Sequence, residues 1–301
     1  MRIFGHETVY TTHSRHNVPV ATVAPGEVFG VYTQLNTGTW LKTIEDTYER
    51  GKPDSSLPCV CVAVEGAEPG DSIAVKIVEV TPDALGFTGF DGRGRGGLFT
   101  LIDPAPWGLT TKTVRIEEGY IQWSDSLKIP ISPMIGVIGT APAREELVNA
   151  KAGPYGGNMD VQEVTAGTTL YLPVAVPGAL LHVGDVHAIQ GDGELCGSGG
   201  IECRAHVTLQ IEIVKAVPAR ESVRMENDDY IMTVCCGRSV EEMFYKAAAD
   251  MIDWLKADYG FSREEAYMLM AQVMEARATQ FVNPTRTYIC KMPKKFLLAR
   301  A

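Results

Sequence analysis

Eleven consecutive residues, Gly184-Asp185-Val186-His187-Ala188-Ile189-Gln190-Gly191-Asp192-Gly193-Glu194, gather three carboxylates, an imidazole and a carboxamide among glycines. Carboxylate oxygens and imidazole nitrogens bind divalent cations, and the same groups move protons near neutral pH. In an extended chain side chains alternate faces, so Asp185 and His187 point the same way. Gly191 and Gly193 permit a turn that brings Asp192 and Glu194 back toward them. A mixed oxygen and nitrogen set selects zinc first, with calcium as the alternative. The spacing matches no standard zinc signature, so residue type alone carries the expectation. The competing reading is a polar hairpin whose carboxylates cap the N–H groups of its own turn.

The elements that must position this run are strands. The clearest spans 201–213, with Ile201, Cys203, Ala205, Val207, Leu209, Ile211 and Ile213 on one face and Glu202, Arg204, His206, Thr208, Gln210 and Glu212 on the other. Glu202 therefore sits on the polar side, near the Gly-Asp-Gly-Glu turn, and is expected to face the same cavity. Arg204 and His206 read as a solvated cross-strand row. Upstream, β-branched runs at 18–23, 60–64, 72–80, 113–116 and 170–176 are punctuated by Pro-Gly, Gly-Asp and Gly-Gly turns. That rhythm predicts a mainly β protein with a sandwich or barrel core.

Past residue 238 the period becomes helical. Ser239-Val240-Glu241-Glu242 is a capping box opening a helix through Met243, Ala247, Met251 and Leu255 to Gly260. Ser262-Arg263-Glu264-Glu265 opens a second, through Tyr267, Met270, Met274 and Arg277, ending before Asn283-Pro284. The expected organisation is a β-rich catalytic region over 1–217 and an α+β segment over 218–301 carrying the two helices. Asp91-Gly92-Arg93-Gly94-Arg95-Gly96-Gly97 lacks the Lys-Ser/Thr ending of a phosphate loop and reads as a mobile loop, with a flap over the active site as its functional alternative.

Composition excludes several partners. With 45% hydrophobic and 21% charged residues the 301-residue chain has ordinary globular usage. A net charge of −10 argues against nucleic acid and anionic membrane as partners. The N-terminal residues lack a signal-peptide core, and no apolar run approaches the ~18–20 residues that span a bilayer. Seven cysteines, an odd number without a Cys-x-x-Cys pair, suit a reducing compartment. A cytoplasmic location is expected.

Four blocks resemble the acetamidase/formamidase family of amide hydrolases. They are His16-Asn17-Val18-Pro19-Val20-Ala21-Thr22-Val23-Ala24-Pro25-Gly26-Glu27, Val64-Glu65-Gly66-Ala67-Glu68-Pro69-Gly70-Asp71, Gly153-Pro154-Tyr155-Gly156-Gly157-Asn158-Met159-Asp160, and the opening run continued through Cys196 to Ile201-Glu202. Two positions depart from the family: Tyr155 stands where many members have histidine, and Tyr32–Asn36 lacks an aspartate that relatives often carry. Both bear on the substrate rather than the fold. The resemblance implies a small neutral amide substrate and a homo-oligomer, dimer or trimer.

Residues and resemblance together predict hydrolysis of a carboxamide to a carboxylate and ammonia. An amide carbonyl is deactivated by resonance, so the site needs a strong nucleophile, an electrophile on the carbonyl oxygen and a proton for the leaving nitrogen. A zinc ion lowers the pKa of its water to near 7 and polarises the carbonyl. Asp185 and His187 are the expected ligands, joined by Asp160, Asp192 and His16. Glu194 is the expected proton carrier, then Glu202, then Asp192. Asn158, flanked by Gly157, would donate to the oxyanion, and Gln190 and Tyr155 complete the substrate contacts. Glu65 and Asp71 are read as fixing a turn. Two other readings stand beside this one: a covalent amidase using Cys196 or Ser198, and a non-catalytic β-sandwich that binds a metal or small ligand.

Overall fold

The computed structural model describes residues 1–5, 7–91, 108–216 and 220–297. Positions 92–97, the arginine-containing glycine stretch read as a loop or flap, lie outside them. The strand Glu202–Val214 shows the alternation expected of it: Cys203, Ala205, Val207, Leu209 and Ile211 are buried, while His206 and Glu212 are exposed. It pairs antiparallel with Val28–Thr33 and with Ser72–Asp91, and its first residues pair with Leu181–His187. Leu181–His187 in turn pairs with Cys59–Val64 and Met134–Gly139.

These last three strands are buried along their whole length. Cys59–Val64 and Met134–Gly139 are apolar throughout, as strands covered on both faces should be. Leu181–His187 instead carries His182, Asp185 and His187 into the interior, and buried polar groups of this kind need partners.

Among the described residues eighteen strands join in one sheet. It is a curled, mostly antiparallel half-barrel; Arg2–Phe4 runs parallel to Val28–Thr33, and Ala21–Val23 parallel to Cys59–Val64. Its inner side is filled by aliphatic and aromatic residues including Phe29, Ile73, Ile135, Leu170 and Leu209. The mainly β architecture with two C-terminal helices is the one the sequence predicts.

Helix α1 (Val240–Tyr259) begins at Ser239, whose side chain accepts from Glu242 N–H, and ends at Gly260 in the left-handed conformation. Helix α2 (Arg263–Val273) begins with the full reciprocal capping box of Ser262 and Glu265. Met251, Trp254, Leu255, Phe261 and Met270 seat the helices on Ile231 and Met292 of the sheet. The second helix is shorter than its sequence suggests, and Tyr267 faces solvent. It stops at Val273, and Glu275–Gln280 is a strand paired with Arg286–Pro293. The edge hydrogen bonds of that strand need a partner, and tertiary pairing outweighs local helix propensity there.

Residues from both sides of position 217 are hydrogen-bonded together: Val223–Glu226 pairs with Thr169–Pro173, and Gly193 bridges Gln280. Among the described residues no helix is long and apolar enough to cross a membrane.

Candidate active site

His187 and Glu202 stand directly opposite each other on neighbouring antiparallel strands, so their side chains share a face. His187 Nε2 lies 3.1 Å from Glu202 Oε2 and 3.6 Å from Asp185 Oδ1. On the other side of the ring, Nδ1 is 2.9 Å from Gln190 Oε1. Gln190 Nε2 donates to the Asp160 carbonyl at 3.0 Å and the Thr279 carbonyl at 3.3 Å, which fixes its oxygen toward the imidazole. Nδ1 therefore carries a proton, and Nε2 either carries a second one or offers its lone pair to a cation.

Asp160 arrives from the segment after the strand Gly156–Asn158. Asn283 Nδ2 donates to its Oδ2 at 2.5 Å. The Asn158 amide nitrogen, when turned to face the same carboxylate, lies 2.9 and 3.1 Å from its two oxygens, and the Asn158 oxygen then accepts from Asn283. Asp160, Asp185 and His187 each present a ligand atom within 4.8 Å of the others. Gly136 makes room for this: a Cβ there would come within 2.6 Å of Asp160 Oδ1 and 2.7 Å of Asp185 Oδ2.

Glu194 completes the cluster through its turn, where Gly193 N–H donates to the Thr279 carbonyl and Phe281 N–H to the Gly193 carbonyl. Gly199 backs the Glu194 carboxyl closely enough to exclude any side chain of its own. Asp185, Glu194 and Glu202 open onto a cavity of about 480 Å³ whose lining also includes Asn158, Ser198 and Asn283, with Asp160 and His187 set behind them.

Four acids and one imidazole in a buried space perturb each other. Burial, then the neighbouring Asp185 charge, pushes Asp160 up to about 7. Burial and Asp160 hold Glu194 well above the ordinary carboxylate range. Glu202 is likewise raised, by burial above all, against the favourable pull of His187. His187 is raised because Glu202 and Asp185 outweigh the burial that opposes its charge. Asp185 Oδ1, His187 Nε2, Glu194 Oε2 and Glu202 Oε2 are buried with no well-formed hydrogen bond, the imidazole nitrogen having only its ion-pair contacts to Glu202 and Asp185. Such buried oxygens and an imidazole nitrogen facing one another form a donor set that fits a divalent cation.

The structure brings Asp160, Asp185, His187, Glu194, Glu202 and Asn158 together. It places the other expected residues elsewhere. Asp192 is largely exposed and paired with Arg277 at 2.7 Å, because the turn does not keep the alternation of a strand and residues two apart in it do not share a face. His16 is exposed and outside the cluster. Gln190 spends both ends of its amide on His187 and on backbone carbonyls, so it orients the imidazole rather than facing the cavity.

Tyr155 donates to the Lys151 carbonyl at 2.9 Å and packs its ring on His13. Gly157 is buried beside it, and a Cβ there would meet the Lys151 carbonyl at 2.4 Å. Neither Tyr155 nor Gly157 is among the residues lining the cavity. Asp71 accepts from Glu68 N–H and Lys215, holding its turn as read, and Glu65 is exposed.

Sequence reasoning missed Asn283 and Gly136. Asn283 precedes a proline past the second helix and lies 123 positions from the aspartate it holds. Gly136 sits in an unbroken apolar strand. No local pattern marks either as part of a site.

A curled β half-barrel with a buried carboxylate and histidine centre defines the class, and the comparisons give the family. The model of the acetamidase/formamidase family matches residues 10–153 and 150–296, and the chain belongs to that family of amide hydrolases. A recombinant predicted acetamidase/formamidase from Thermoanaerobacter tengcongensis superposes with a TM-score of 0.91 at 29% identity, covering 99% of this chain and 97% of that one. The acetamidase of Bacillus halodurans gives 0.87 at 29% identity, covering 99% of both.

By sequence the chain is 24% identical to the acetamidase of Mycolicibacterium smegmatis, over 90% of this chain and 87% of that protein. The match to a Schizosaccharomyces pombe relative, 29% identical, spans 50% of that protein's length.

Proposed function

We propose that this protein hydrolyses a small aliphatic carboxamide, of the formamide or acetamide type, to a carboxylate and ammonia with water activated at a divalent cation. The observation that carries the reading is the convergence of four buried ligand atoms without a well-formed hydrogen bond, from Asp185, His187, Glu194 and Glu202, beside a cavity in a chain of an amide hydrolase family. Asp160, Asp185 and His187 would hold the cation. When bound, zinc, or calcium in its place, lowers the pKa of water and polarises a carbonyl oxygen.

The chain's own residues supply the rest. Glu194, whose carboxyl burial and Asp160 raise well above the ordinary carboxylate range, would give a proton to the leaving nitrogen. Glu202, 3.1 Å from His187 Nε2, would receive the proton that the attacking water loses, with the imidazole favouring its ionised form against the burial that opposes it. Asn158 and Asn283 hold Asp160, and Gln190 fixes the His187 ring. Cys196 is a poor competing nucleophile because burial pushes its thiol up, leaving it protonated. All seven cysteines are free, which supports a reducing, cytoplasmic setting.

The test is ammonia release from formamide and acetamide by purified protein and by Glu194→Gln. The wild type is expected to release ammonia, and the variant to lose on the order of 10²–10⁴ in kcat with its fold intact. An unchanged kcat in the variant would remove Glu194 from the mechanism. An intact wild-type fold that releases no ammonia from either amide would remove the substrate assignment.

A further inference from the structure

The strand Glu275–Gln280 carries Arg277, whose guanidinium joins the segment that follows Asp160 to the turn that carries Glu194. Nε donates to Asp192 Oδ1 at 2.7 Å. Nη1 and Nη2 donate to the two oxygens of Glu163 at 2.9 and 2.8 Å, and Nη2 also to Gln162 Oε1 at 3.2 Å. Gln162 Nε2 donates in turn to Asp192 Oδ1 at 3.1 Å, closing the ring. Lys291 supports Glu163 from behind at 3.1 Å.

Asp192 lies two residues before Glu194, and Gln162 and Glu163 follow Asp160 by two and three. The backbone of the same strand holds the turn as well, through Thr279 and the bridge of Gln280 to Gly193. We propose that Arg277 is a positioning residue that fixes the separation of the Asp160 and Glu194 carboxyls by clamping their two segments together.

The physical reason is the fork. A bidentate guanidinium–carboxylate pair fixes direction as well as distance, which a flexible ammonium does not. Arg277 and Glu163 are mostly shielded, at 25% and 15% side-chain exposure, so this pair is screened less than a surface one. Asp160 and Glu194 sit at left-handed φ values of 48° and 45°. Conformations of that kind persist only where the surroundings over-determine them. Relaxing either segment would separate the two carboxyls, and an error of about 1 Å in a reacting group can lower the rate on the order of 10²-fold.

This inference rests on Glu194 as the proton carrier, so the experiment carries a readout that does not need turnover. Arg277→Met, Arg277→Lys, Asp192→Asn and the Arg277→Met/Asp192→Asn double variant are compared with wild type. Ammonia release, thermal unfolding and amide hydrogen exchange of a peptide covering 189–196 are measured for each.

Arg277→Met is expected to lower kcat by about 10²-fold with KM little changed, to speed exchange in 189–196, and to leave exchange in α1 unaltered. Arg277→Lys should recover part of the loss. Asp192→Asn should show a smaller loss, and the double variant should be no worse than Arg277→Met alone, as expected of residues in one network.

Wild-type kcat in Arg277→Met, unchanged exchange at 189–196, or a loss that only follows the unfolded fraction would overturn the clamp. If Arg277→Met does not fold, Arg277→Lys and Asp192→Asn decide by the same readouts. A wild type that releases no ammonia would count against the amidase reading, and exchange at 189–196 would then judge the clamp alone.

Discussion

Asp160, Asp185 and Glu194 hold φ values of 48°, 55° and 45° respectively, a region costing non-glycine residues about 1–3 kcal/mol. Three acids of one cluster in that conformation, among eight such non-glycine residues described, mark a place where function outweighs local stability. Gly136 serves the same end by leaving space. Gly136→Ala would drive a methyl group against the Asp160 and Asp185 oxygens. It is expected to destabilise the fold by about 1–3 kcal/mol as an overpacked site does, and to weaken zinc binding measured by calorimetry. Unchanged zinc affinity would show that the two carboxylates do not act together. Asp185, His187, Glu194 and Glu202 were legible in the sequence because one strand, one turn and the next strand carry them all. Asp192 was misplaced because a turn, unlike a strand, gives no fixed alternation from which to read a side chain's direction.

At the scale of elements, what was local was readable. Ser239 and Ser262 announce the two helices, and both accept from the N–H three residues on, though only Ser262 completes the reciprocal box that both sequences suggest. Ser262→Ala removes one side of the α2 capping box and is expected to lower stability by about 1 kcal/mol in urea titration, with amide hydrolysis unchanged. A larger loss, or a loss of activity, would mean that α2 supports the site directly. The end of α2 was not readable, because Met274 to Gln280 leaves the helix to satisfy the edge of Arg286–Pro293. That pairing depends on a partner brought in by the whole fold. The same strand then supplies Thr279 and Arg277 to the site, so the error at the helix end hid two of its supports.

Besides His187, the molecule buries a pair of histidines, His13 and His182. His13 and His182 pack with ring centroids 4.6 Å apart. His182 Nε2 lies 2.8 Å from Asn17 Nδ2, and its Nδ1 lies 2.8 Å from the Leu180 carbonyl, a pattern that suits the neutral ring. Burial holds His182 down to about 4, and burial and His182 hold His13 well below its ordinary value. Unfolded, each takes a proton near pH 6.5. Their contribution to stability is therefore fully present above pH 6.5 and is lost as pH falls from 6.5 toward 4, by up to about 1.4 kcal/mol per unit per ring. The raised Asp160, Glu194 and Glu202 act with the opposite sign, so the informative quantity is the stability of wild type minus that of His182→Gln. It is expected to shrink between pH 7 and pH 5 in urea titrations, and a constant difference would contradict the neutral buried ring.

Curvature of the sheet and convergence of positions 160, 185, 194, 202 and 283 are likewise properties of the whole chain. The short β runs predicted the class of fold, and only the tertiary arrangement shows which acids meet.

The most direct measurement is ammonia release from formamide and acetamide on one preparation as purified, after chelation and after zinc is restored, with metal content determined at each stage. The expected result is activity that disappears with the metal and returns with zinc while the fold persists throughout. Full activity in protein stripped of metal would contradict the cation-dependent mechanism.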